Sequence, residues 1–218
     1  MTLQRWAVGV LVAPRPQETL IRTMESLVDG GWDRAFLFVE PGGKLPLLDE
    51  SYWTAWEWGQ RLGPVRHWLS SLAILCDRRP EAEAYLLVQH DAVLVPGLRK
   101  YLEATLFPPG RAGICWPLGC VDRDRRKGAA VRAGWHRADG ERFSLGRPAC
   151  VLSPAAAAEI AREFAAPPDR GAAPFEAEVT RVLKREGLHA WDHTPSLVAR
   201  QGTALPDKPF PKRDRPAA

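Results

Sequence analysis

The chain has 218 residues, enough for one large domain, and an apolar fraction of 45% supports a sizeable core. A formal net charge of +4, with the basic residues spread along the chain, argues against nucleic acid as the principal partner. The four cysteines, Cys76, Cys115, Cys120 and Cys150, show no CxxC spacing, which speaks against a zinc site.

Trp6–Ala13 is a continuous apolar run and predicts a first buried strand. Pro14-Arg15-Pro16 ends it, since proline cannot donate to a ladder. Over Gln17–Val28, the residues Leu20, Ile21, Met24, Leu27 and Val28 fall at helical spacing, and Asp29-Gly30-Gly31 supplies the stop. Ala35–Val39 predicts a second buried strand, closed by Glu40-Pro41-Gly42-Gly43. Strand, loop, helix, strand in this order predicts parallel pairing through a right-handed crossover, which puts the Ala13–Arg15 loop and Glu40 on one rim of the sheet. Neither GxGxxG nor GxxxxGK[ST] occupies the first loop, against a dinucleotide fold or a P-loop enzyme.

Lys44–Gln60 has no clear period. Its Tyr52, Trp53, Trp56 and Trp58 admit two readings: a surface that stacks a sugar, lined by Trp53 and Trp56, or ordinary packing, the commoner outcome at these spacings. Gly63-Pro64 opens a helix with Val65, Trp68, Leu69, Leu72, Ile74 and Leu75 on its buried stripe, ending before Arg78-Arg79-Pro80.

Ala84–Gly97 is the stretch on which the rest is organised. Tyr85-Leu86-Leu87-Val88 has the length and composition of a strand buried on both faces, and it stops abruptly at Gln89, His90 and Asp91. Open α/β sheets bind ligands at the carboxyl ends of such strands. Pro96-Gly97 then turns into a helix over Leu98–Leu106. Ala112–Leu118 predicts a further strand. Asp122–Lys127 carries Arg123, Arg125, Arg126 and Lys127, a solvated loop or a lid whose arginines meet phosphate or an acidic acceptor.

Phe143–Leu152 predicts another strand, and Ser153-Pro154 caps an alanine-rich helix to Phe164. After a loop over Pro167–Pro174, Phe175–Glu186 predicts a helix with Glu176 and Glu178 in its first turn. Leu188–Trp191 predicts a short last strand. His193 is either a second polar contact at the site or an ordinary turn histidine. From Leu205 the prolines and charges predict a poorly ordered tail, so residues 1–204 form the domain and 205–218 the tail. The start has no signal-peptide apolar region and no run reaches membrane-spanning length, so a cytoplasmic protein with no membrane span is expected.

This order, with an apolar strand ending in a polar cluster, resembles the nucleotide-sugar-binding half of a GT-A-fold glycosyltransferase of the bacterial family 2 type. Tyr85–Pro96 is similar to the segment with the family's acidic motif, Gly146–Ser153 to the strand flooring the acceptor pocket, and His193–Val198 to a closing motif. The resemblance implies an α/β fold with a single open, mostly parallel twisted sheet flanked by helices. It also implies transfer of a sugar from a nucleoside-diphosphate donor to a glycan or other hydroxyl acceptor, with inversion. Ala13, Arg15, Glu40 and Gln89 would contact the donor.

Asp91 matches the last acidic position and is the metal-ligand candidate for Mn²⁺ or Mg²⁺, with His90 beside it where relatives carry an acid. Asp169, Glu176 and Glu178 stand where inverting members place their general base, Glu176 first among them. Arg200 occupies the region where relatives often have a histidine, and as a fixed cation it would neutralise the diphosphate directly. Two alternatives remain. One is a catalytically degenerate relative that binds a nucleotide or glycan; the other is a nucleotidyltransferase, for whose Gly-rich basic loop Pro14-Arg15-Pro16 is a poor substitute.

Overall fold

The computed structural model describes residues 5–14, 19–45, 50–106, 113–117, 133–138, 144–165, 174–207 and 209–210. The elements in chain order are β1 (Trp6–Val12), α1 (Leu20–Gly30), β2 (Ala35–Val39), β3 (Trp53–Glu57), α2 (Gly63–Arg78), β4 (Ala84–Gln89), β5 (Ala92–Leu94), α3 (Leu98–Thr105), β6 (Gly113–Trp116), β7 (Gly134–Arg137), β8 (Ala149–Leu152), α4 (Pro154–Glu163), α5 (Phe175–Arg185), β9 (His189–Thr194) and β10 (Val198–Arg200).

Eight strands form one sheet in the order β3-β2-β1-β4-β8-β6-β9-β7, and β5 pairs with β10 in a small separate one. The half built from β3, β2, β1 and β4 is parallel throughout. β8 runs antiparallel to both β4 and β6, β9 is parallel to β6, and β7 closes the edge antiparallel to β9. The sheet is therefore α/β as expected, with its parallel part gathered on one side.

Alternation along the central strands divides the core between two faces. Val8, Val10 and Val12 of β1 point to the side covered by α1, α3, β5 and β10, whereas Ala7 packs on the side of α2, α4 and α5. Gly9 lies mid-strand because α2 comes too close for a side chain. A Cβ there would stand 2.8 Å from Leu75 Cδ1 and 2.9 Å from Phe38 Cε2. α1 ends in a left-handed cap at Gly31 (φ 106°), whose N–H is directed at Leu27 O and Val28 O. Ser153 caps α4, its Oγ accepting from Ala156 N.

Several expectations change. The aromatic stretch contains β3, paired parallel with β2. Trp53 packs in the core of one face and Trp56 in that of the other, so these residues, three apart on a strand, cannot line one sugar platform. Residues 144–148 belong to a loop and only Ala149–Leu152 is strand. β7 and β10 had no sequence counterpart, and β9 runs on to Thr194. Leu205 and Phe210 pack against the core, with the Phe210 ring stacked on Tyr101 at 4.7 Å, so the chain is anchored beyond residue 204. The basic run over 122–127 lies outside the described residues. Among the described residues, no helix is long and apolar enough to cross a membrane.

Candidate functional site

The strand order determines where a ligand site belongs. From β1 the chain steps outward through β2 to β3, then returns to place β4 on the other side of β1. The connections above β1 and β4 thus diverge at their carboxyl ends, the switch point at which open α/β sheets take ligands. Leu11 pairs with Gln89 there. His90 bridges the two strands. Its peptide N–H donates to Leu11 O at 3.2 Å and its ring Nδ1 to the same carbonyl at 3.1 Å. A carbonyl only accepts, so Nδ1 carries a proton. His90 is 5% exposed, and its own carbonyl accepts from Thr23 Oγ1 of α1.

Asp91 follows, with its side chain 8% exposed. The β5–β10 ladder places Arg200 opposite Ala92, so the guanidinium reaches back over the end of β4. Nη1 of Arg200 donates to Asp91 Oδ2 at 2.5 Å, and Nη2 to Gln89 Oε1 at 3.1 Å and Gly146 O at 2.7 Å. Gln89 completes the clamp by donating from Nε2 to Leu145 O at 2.7 Å. One arginine therefore ties β4, β10 and the 144–148 loop together, while its side chain stays 39% exposed. Gln89, Asp91 and Arg200 are brought together by the fold.

Glu40 lies on the same rim at the end of β2, but as a helix cap. Its Oε1 accepts from Leu62 N and Gly63 N, both at 2.9 Å, at the start of α2, where a carboxylate complements the helix dipole. Only 6% of Glu40 is exposed, so its carboxylate is committed to α2 and offers a nucleoside little surface. Ala13 and Pro14 follow β1, and Gly42 approaches Pro14 and the guanidinium of Arg61. Sequence reasoning missed Arg61, an exposed cation beside these loops that sits in no recognisable motif.

A second arginine lies next to the clamp. Arg147 forms a two-pronged ion pair with Asp192 through both carboxylate oxygens, and its guanidinium sits 4.9 Å above the Trp116 ring. This pair, 13% and 11% exposed, fixes the 144–148 loop to β9. The pairing went unread because Asp192 falls in what reads as a turn.

His193 resolves as a packing residue. It is fully buried, Nε2 meets Tyr101 Oη at 2.6 Å and Nδ1 donates to Pro195 O at 2.7 Å. Burial lowers its pKa to about 4, so the ring is neutral. Burial likewise lowers that of His67, whose Nε2 donates to Phe38 O. The Cys76 and Cys150 thiols are pushed up by burial to about 11 and about 12, as expected of inert core residues.

Arg15 and Asp169 lie outside the described residues. Glu178 accepts from Arg181 Nε at 2.8 Å, and Arg181 also bonds Glu163, which places Glu178 in the ion-pair network joining α5 to α4. Glu176 occupies the first turn of α5, where it complements the helix dipole.

The resemblance implies a divalent ion at Asp91, which requires several hard oxygen donors around one position. Asp91 Oδ2 is instead engaged by a guanidinium, and His90 directs Nδ1–H at a backbone carbonyl. Among the described residues, no group of three or more His, Cys, Asp or Glu side chains is arranged to hold a metal ion. The described residues around Asp91 do not form the donor set of a resident divalent ion.

No family model matches the chain, and no curated protein matches it in sequence. Solved structures do match in shape. A glucose-1-phosphate thymidylyltransferase from Bacillus anthracis, in complex with sucrose, superposes with a TM-score of 0.56 at 13% identity, covering 90% of each chain. HddC from Yersinia pseudotuberculosis, complexed with GMP-PN, gives 0.53 at 13% identity over 92% of this chain and 95% of that one. The mannosyltransferase PcManGT from Pyrobaculum calidifontis, in complex with GDP-Man and Mn²⁺, gives 0.54 at 11% identity over 85% of this chain and 53% of its own. At these identities the likeness is one of fold alone: the chain shares the α/β fold of these proteins.

Proposed function

We propose that the chain is a glycosyltransferase that binds a nucleoside-diphosphate sugar at the carboxyl ends of β1 and β4 and passes the sugar to a hydroxyl acceptor. The observation that carries this reading is the clamp of Gln89, Asp91 and Arg200 at the carboxyl end of β4, the switch point of the sheet. In this scheme the diphosphate lies against Arg200, whose charge-assisted hydrogen bonds offset the negative charge developing on the leaving group. The nucleoside lies toward Ala13 and the Arg61 side of the rim, with Arg15 as a further contact. The ordered 144–148 loop borders the acceptor. Inversion requires a base on the acceptor hydroxyl, for which Glu176 and Asp169 are the candidates ahead of the ion-paired Glu178.

Two readings compete. The absence of a second acid beside Asp91 favours a binding protein without turnover, and the thymidylyltransferase neighbour has the same fold, so fold alone does not separate glycosyl from nucleotidyl transfer. A thermal-shift screen of UDP-, GDP-, dTDP- and ADP-sugars, followed by chromatography for released nucleoside diphosphate, tests the proposal. A donor at 100 times its Kd stabilises the folded state by about 2.7 kcal/mol. That corresponds to a rise of roughly 5–10 °C for a chain of this size. The reading is overturned if no donor raises the melting temperature. Binding without release of nucleoside diphosphate favours the degenerate reading, and pyrophosphate release from a nucleoside triphosphate plus a sugar phosphate favours nucleotidyl transfer.

A further inference from the structure

We infer that the guanidinium of Arg200 is the built-in cation of the phosphate subsite, so that a diphosphate binds here without a divalent metal. The inference rests on the nucleotide-sugar reading above and deepens it. Three observations carry it. First, the single carboxylate at the end of β4 is already neutralised from within the chain, Asp91 Oδ2 accepting from Arg200 Nη1. A divalent ion on that oxygen would have to displace a fixed positive charge, whereas a phosphate oxygen can accept a hydrogen bond from the same guanidinium.

Second, Arg200 is held rather than loose. Bonds to Gln89 Oε1 and Gly146 O fix the plane of the guanidinium, and its backbone is paired to Ala92. A preorganised planar fork gives up less entropy per bond when it meets phosphate oxygens than a flexible ammonium would.

Third, the fork is not used up. A guanidinium has five N–H donors, and the bonds to Asp91, Gln89 and Gly146 employ three of them. Nε–H and the second Nη1–H take no part in these three bonds, and 39% of the side chain is exposed. Asp91 on this account is a positioning residue. Its carboxylate orients the guanidinium and keeps it where the phosphate arrives.

The test is calorimetric binding of UDP, GDP and dTDP, and of inorganic pyrophosphate, to the full chain in excess EDTA and again in 5 mM Mn²⁺ or Mg²⁺. The expected result is a nucleotide Kd within about threefold in the two conditions, and a loss of at least tenfold in Arg200→Met measured in EDTA. Nucleotide binding only in the presence of the metal leaves the nucleotide-sugar reading intact and overturns the role of Arg200. Pyrophosphate binding in EDTA that Arg200→Met abolishes, with no nucleotide bound, supports the cation site and overturns the nucleotide-sugar reading. If no diphosphate binds under either condition, both fall. Should Arg200→Met fail to fold, the wild-type comparison with and without chelator decides by itself.

Discussion

Replacing Arg200 by methionine keeps most of the aliphatic stem and removes the guanidinium, which makes the clamp measurable without any ligand. The substitution deletes one hydrogen bond to a carboxylate and two to neutral acceptors. A bond to a charged partner contributes about 1.5–3 kcal/mol and a neutral one about 0.5–1.5 kcal/mol. Because the arginine is 39% exposed, water replaces part of what is lost, whereas Asp91 at 8% is left in a poorly solvated position. The net cost is about 2–3 kcal/mol, or a fall in melting temperature of roughly 5–10 °C. A double-mutant cycle with Asp91→Asn isolates the pair. Urea denaturation of the four proteins in EDTA should give a coupling of about 1–3 kcal/mol. A coupling below about 0.5 kcal/mol would show that the two residues are neighbours without being partners, and the clamp would lose its energetic basis.

Two further outcomes probe the scaffold. His193 has a folded pKa of about 4 against an ordinary 6.5, so the unfolded chain takes up a proton at higher pH than the folded one. The stability from this neutral, buried ring is whole above pH 6.5 and is lost as pH falls from 6.5 toward 4, about 3 kcal/mol over the full span. Urea midpoints at pH 7.5, 5.5 and 4.5 should fall more steeply in the wild type than in His193→Gln, and parallel falls would refute the assignment. Gly113 has φ 139°, and a Cβ there would stand 1.9 Å from His189 O, whereas one at Gly187 (φ 65°) meets nothing within 4 Å. Gly187→Ala should cost roughly 1–2 kcal/mol for its backbone conformation alone. Gly113→Ala should cost at least twice as much in a thermal melt, because β6 and β9 must separate. Equal losses would rule out the close approach.

The parallel half of the sheet was legible because its signals are local. Ala35–Val39 is a run of apolar residues with loop residues at both ends, and the strand occupies the same five positions. The run ending at Gln89 was equally clear, and the polar cluster after it marked the correct rim. β3 was not legible, since an edge strand with tryptophans facing both ways has neither a helical nor an alternating period. β7 and β10 are only four and three residues long and are defined by their partners rather than by their own composition. At the site, Gln89, Asp91 and Arg200 could all be named from the sequence. Their bonding could not, because it depends on a strand pairing that brings residue 200 to residue 92. Glu40 shows a role that the sequence did not announce: the next helix begins within reach of this strand-end acid and takes its oxygen.

The β5–β10 pairing also sets the order in which the molecule can be completed during synthesis. Asp91 and the arginine that engages it are 109 positions apart. At about 5–20 residues per second, Asp91 waits roughly 5–20 s on the ribosome for its guanidinium. In that interval the parallel strands β1, β2, β3 and β4 can already pair before Arg200 is present. A chain interrupted before Val198 would keep that half of the sheet and lack the clamp. A nascent chain that has not yet reached Arg200 therefore lacks the clamp against which the proposed diphosphate would lie.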